Sequence, residues 1–189
     1  MRCRLILVLI FGALPVAIPA QQPSTGVNPI TQSFKGFGFY GNWLKAAFDS
    51  IPAARYDFKP TPIQQSVGYI AQHLEDANYQ LCSIIGGTTR TTTAKDSLAD
   101  TVKEKWPKDT LVARLWTSLL YCQAAFTRLD DARLAELVTV GPPGATRTFP
   151  RARYVMLFIT DLAEHYAQIA AYMRAMGMVP PSALPPPKS

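Results

Sequence analysis

The stretch PRARYVMLFITDLAEHYAQIAAYMRAMG, residues 150–177, decides the fold class. Tyr154, Phe158, Leu162, His165, Ile169, Tyr172 and Met176 recur at three- and four-residue spacing, the period of one face of an α-helix. The spacing predicts a helix over 150–176 that starts at Pro150 and is capped by Gly177. Asp161 falls on the same inward face. It stands four residues before His165, so the two side chains stack one turn apart.

Three further segments carry the same period. Leu111, Leu115, Leu119, Cys122, Phe126 and Leu129 mark the buried face of a helix over 108–129. Ile63, Val67, Ile70, Leu74, Ala77, Leu81 and Ile84 mark another over 62–85, ended by Gly86 and Gly87. On that helix Thr61 is the expected cap and Pro62 the first residue, with His73 and Cys82 on the flank of the stripe. Tyr40, Trp43, Leu44, Ala47, Phe48 and Ile51 give a helix over 30–51, weakened in its first half by Gly36, Gly38 and Gly41. Residues 55–62 read as an extended connection, because a residue before proline is driven from the helical region. Residues 88–108 read as a loop with a short helical turn near 95–105, and 139–149 as a polar Pro/Gly loop. Four amphipathic helices without a strand run imply an all-α four-helix bundle. The two later connections are long enough for a topology other than simple up-and-down.

The first twenty residues stand apart from this pattern. Arg2 and Arg4 precede an apolar run from Leu5 to Val16, and Ala17-Ile18-Pro19-Ala20 places small residues where a signal peptidase reads. Residues 1–20 therefore read as a signal peptide, 21–29 as a linker, 30–180 as the bundle and 181–189 as a proline-rich tail. The apolar run is shorter than the roughly 20 residues a membrane span needs, so no stable span is expected after cleavage. The expected location is the periplasm or the outside of the cell. Loss of Arg2 and Arg4 would lower the net charge from +6 to +4. The remaining basic residues are scattered singly, which argues against nucleic-acid binding. Cys82 and Cys122 would remain, an even pair that in an exported chain is a candidate disulfide; two buried thiols are the alternative.

His73 and His165 are the only two histidines. An inward-facing Asp161 needs a partner, since an unpaired buried carboxylate is costly. A divalent metal held by His73, Asp161 and His165 is one answer, with Asp76, Glu164 and Gln168 available as supporting hydrogen-bond groups. Pairing of Asp161 with Arg114 or Arg174, or with a structural histidine, is the other. There is no phosphate-binding glycine loop, CxxC pair or HExxH. Ser66, Ser83 and Ser118 have no local nucleophile signature. Tyr69, Tyr79, Tyr121, Tyr166 and Tyr172 fall near helix faces and read mainly as core.

Taken together, YDFKPTP at 56–62, His73 with DANYQLC at 76–82, YCQAAF at 121–126 and EHYAQIAAYMRAMGMVPPS at 164–182 resemble the DinB-like superfamily. The resemblance covers about residues 30–182 and is nearest to an exported branch with a cysteine on each of the second and third helices. It implies a four-helix bundle holding a divalent metal, usually zinc or nickel and with iron or manganese as further candidates, through three histidines. By position His73 is the first ligand and His165 the last, and Asp161 stands where the family has its middle histidine. The resemblance further implies a metal-dependent hydrolase or group transferase acting on an unidentified small molecule. The alternative it leaves is a non-catalytic bundle with a degenerate metal site. Homodimers are common among such bundles.

Overall fold

The computed structural model describes residues 28–185. The expected signal peptide, most of the linker and the last four tail residues lie outside them. Within them the chain folds as α1 (Pro29–Lys35), α2 (Phe39–Ser50), α3 (Val67–Gly86), α4 (Asp100–Lys103), α5 (Lys108–Phe126), α6 (Asp131–Ala135), β1 (Leu137–Val140), β2 (Arg147–Pro150) and α7 (Arg151–Ala175). A 3₁₀ turn at Gly36–Gly38 joins α1 to α2, so the segment weakened by glycine is nearly continuous but changes pitch there.

The architecture is an all-α bundle built from α2, α3, α5 and α7. Packing runs α2 to α5, α5 to α3, α3 to α7 and α7 to α2. The two helices consecutive in sequence, α2 and α3, thus lie across the bundle from each other. The long connection over 51–66 makes that possible. Leu44, Phe48, Ile51, Ile70, Leu74, Leu111, Leu115, Ile169 and Met173 form a core that is essentially closed to solvent. Burying each such side chain stabilises the fold by roughly 1.5–3 kcal/mol.

Several expectations need correction. The second helix starts at Val67 rather than Pro62, because the Ser66 hydroxyl accepts the Tyr69 N–H at 3.0 Å and caps it. Thr61 instead donates to Gln64, and Ile63, expected in the core, is 95% exposed. The buried stripe of α3 is also turned from the expected one. It runs through Val67, Ile70, Ala71, Leu74, Asn78, Cys82 and Ile85, so Cys82 is central rather than flanking. The expected loop over 139–149 is largely a β-hairpin, with Val138 opposite Phe149 and Thr139 opposite Thr148. At the start of the proline-rich tail Pro181–Ala183 forms a 3₁₀ turn, and the Ser182 N–H donates to the Tyr166 hydroxyl at 2.7 Å.

Two covalent or charged ties fix α3. Cys82 and Cys122 form a disulfide between α3 and α5, spanning 40 residues of sequence. At the end of α3 the buried Arg151 donates to the carbonyls of Ile84 at 2.6 Å and Ile85 at 3.1 Å, and to Glu136 at 2.7 Å. Both carbonyls lie in the last turn of α3, beyond the reach of i+4 helical donors, and that of Ile84 also accepts the Gly87 N–H at 3.3 Å, so Arg151 helps close α3 where the hairpin meets it.

Candidate metal centre

The site is assembled from α3 and α7, which pack side by side. His73 lies two turns after the Ser66 cap. Its ring stacks on Tyr69, four residues earlier, with centroids 6.1 Å apart and planes within 10°. The Tyr69 hydroxyl in turn reaches Asp100 at 3.5 Å. Across the interface, the His73 and His165 ring centroids are 5.0 Å apart. Asp161 lies one turn before His165, with Oδ1 3.9 Å from Nε2.

The structure therefore brings all three sequence-selected residues together. One ligand atom from each of His73, Asp161 and His165 lies within 4.8 Å of the other two. Donors bound to one ion at about 2.0–2.2 Å stand up to about 4.4 Å apart, so closure around an ion needs side-chain movements below about one ångström. Two imidazoles and a carboxylate suit a divalent ion with open coordination positions.

The hydrogen-bond inventory agrees with this donor set. Asp161 Oδ2 and both ring nitrogens of His165 are buried without a hydrogen-bond partner. Each such group left unsatisfied costs about 1–3 kcal/mol. A cation would satisfy the carboxylate oxygen and one imidazole nitrogen together. The electrostatics carry the same signature. Burial raises the Asp161 pKa, with the nearby His165 and His73 pulling the other way. Burial lowers that of His165, against the pull of Asp161. Burial thus favours the neutral imidazole, the form that ligates.

The competing partners for Asp161 are engaged elsewhere. Arg114 pairs with Glu75, its Nε donating at 2.8 Å, and with Asp96. Arg174 is exposed. Among the described residues the one ionic neighbour of Asp161 is His165.

The supporting groups named from sequence do not serve the trio. Asp76 is bound by the buried Lys103, Gln168 donates to the Tyr172 hydroxyl at 3.1 Å, and Glu164 is exposed. Tyr69, read from sequence as core, is the side chain that positions His73. Its i,i+4 spacing from His73 was the available signal. Ser66, Ser83 and Ser118 are occupied by Glu104, Tyr121 and Asn78 respectively, and the disulfide removes both thiols from nucleophilic use.

Comparison with known proteins extends the picture. The pattern of the DinB superfamily matches residues 42–169. A DinB-like protein from Bacillus cereus has a similar fold, with TM-score 0.60, 15% identity, and coverage of 79% of this chain and 95% of that one. A conserved protein from Enterococcus faecalis is similar at TM-score 0.57 and 13% identity, covering 81% of this chain and 98% of its own. No curated protein matches the chain.

Proposed function

This chain belongs to the DinB superfamily, and from that premise we propose that it is an exported, divalent-metal-binding protein that hydrolyses or transfers a group on a small molecule. The observation that carries the reading is the convergence of His73, Asp161 and His165 from two helices, with Asp161 Oδ2 and both His165 nitrogens buried and unpaired. Zinc or nickel is the first choice for this donor set, and iron or manganese the next. An ion there would lower the pKa of bound water and polarise a substrate oxygen. The chain's own contribution is to favour neutral His165 by burial and to fix the His73 ring against Tyr69. The Cys82–Cys122 disulfide supports an oxidising compartment.

The engagement of Asp76 and Gln168 elsewhere favours a second reading, in which the metal is bound without turnover. Elemental analysis of the purified protein after reconstitution with zinc, nickel, manganese or iron separates these outcomes. One ion per chain in wild type, lost in His73→Ala and His165→Ala, is the expected result. Equal metal content in wild type and both variants would overturn the site. Stoichiometric metal without hydrolysis of ester, amide or phosphoester substrates would select the non-catalytic reading.

A further inference from the structure

A second site lies on another face of the bundle. A cavity of about 310 Å³ opens between α1–α2, α5 and α7, and its lining includes none of the metal trio. This volume is at the lower end for small-molecule sites. Its wall is apolar and rich in rings: Phe34, Phe37, Trp116, Phe126 and Phe158 line it. Among the described residues Lys35 is the one charged side chain in the lining. It is exposed, and among the described residues no carboxylate lies within 4.0 Å of it.

The glycines at the mouth carry the argument. Gly36 and Gly38 adopt ordinary right-handed helical angles, φ −58° and ψ −22° for the first and φ −58° and ψ −15° for the second. Any residue accepts those angles. A Cβ at either position would meet nothing within 4 Å among the described residues. Neither backbone conformation nor close packing therefore requires glycine there, although each costs stability in a helical segment. Gly41, one turn on, differs: its Cβ would stand 3.1 Å from Leu119. A local cost without a packing return marks a functional position. What Gly38 provides is open space at the cavity edge.

We propose that this cavity binds an amphipathic carboxylate, an apolar chain or ring seated among the aromatic side chains with its carboxylate at Lys35. The proposal does not depend on the metal reading. Titration calorimetry with decanoate, kept below its micelle concentration, and with decan-1-ol as the uncharged comparison tests it. Decanoate is expected to bind once per chain and more tightly than the alcohol. Lys35→Glu should weaken decanoate about fivefold, the scale of an exposed ion pair, and leave the alcohol unchanged. Gly38→Leu should abolish binding of both while its thermal midpoint is no lower than that of wild type. Absence of decanoate binding, or unaltered binding in a folded Gly38→Leu protein, would overturn the proposal. So would a dimer in size-exclusion chromatography that Phe37→Glu dissociates, because the cavity would then be a subunit interface.

Discussion

Asp161 Oδ1 stands 3.9 Å from His165 Nε2 across one turn of α7, beyond hydrogen-bond reach, although Asp161 Oδ2 and both His165 nitrogens are closed to solvent. A cation between them, as proposed, would satisfy both groups, which do not satisfy each other. A site prepared in this way costs stability when empty.

Asp161→Asn is therefore expected to stabilise the metal-free protein and to destroy its response to metal. The Asp161 pKa is raised by burial, so its contribution to stability is full below the unfolded carboxyl pKa and is lost as pH rises through the folded value. Above the folded value the ionised carboxylate, with Oδ2 unpaired, is the unfavourable state. Removing the charge should recover on the order of 1 kcal/mol. Thermal unfolding with and without zinc checks both halves. Asp161→His should keep the metal-dependent rise in midpoint. A metal-dependent rise retained in the asparagine variant would show that Asp161 is not a ligand.

The Cys82–Cys122 bridge closes a 40-residue loop between two core helices. Loop-closure entropy for that length corresponds to about 4 kcal/mol, with relaxation of the reduced protein lowering the observed value towards 2. Urea unfolding of the Cys82→Ala, Cys122→Ala double variant should show a loss in that range. Alkylation of exported, unreduced protein should leave both cysteines unmodified.

The connection over 88–99 is held by ion pairs, which gives it an acid limit. Arg90 contacts Asp96 at 2.6 Å and lies over the Tyr79 ring at 3.5 Å, and Arg114 joins Asp96 to the buried Glu75. Burial pushes the Asp96 carboxyl up, but the Thr93 N–H, Arg114 and the Thr93 hydroxyl together hold it well below the usual carboxylate range. A depressed folded pKa contributes stability above the unfolded value of about 3.9, lost as pH falls through the folded one. Amide protection over 88–99, measured against the intrinsic exchange rate at each pH, should fall once pH drops below about 4. Asp96→Ala should produce the same loosening at neutral pH, with a stability loss on the order of 2 kcal/mol. Protection factors in this segment that do not change with pH would contradict the account.

The convergence of His73, Asp161 and His165 was legible because α7 is long and strongly periodic, and its inward stripe through Tyr154, Phe158, Leu162, His165, Ile169 and Tyr172 is buried as expected. On α3 the choice at one turn misled. After Leu74, Ala77 and Asn78 are both allowed by the helical period, and hydrophobicity favours alanine. The structure buries Asn78, because its amide donates to the Ser118 hydroxyl at 2.9 Å on a helix 40 residues away. That partner cannot be read locally. The same holds for Arg151, whose partners are the carbonyls of Ile84 and Ile85, 67 and 66 positions earlier on another helix. The hairpin strands have four residues each, too short for alternation to emerge.

Two glycines in helical segments should respond in opposite senses to one methyl group. At Gly68, in the first turn of α3, a Cβ would stand 2.4 Å from the Glu104 carbonyl oxygen and 3.3 Å from that of Tyr56. The Gly68 N–H already donates to the Tyr56 carbonyl at 2.8 Å, so the connection after α2 cannot recede without losing that bond. Both obstacles are backbone, and neither can swing aside as a side chain would. Gly68→Ala is expected to cost about 2–3 kcal/mol, the scale of overpacking. Gly38→Ala meets no atom within 4 Å among the described residues and should gain up to about 1 kcal/mol through helix propensity. Because α3 carries His73, Gly68→Ala should also weaken metal binding, whereas Gly38→Ala should leave it unchanged. Equal urea midpoints for the two variants would refute this packing of the loops against α3.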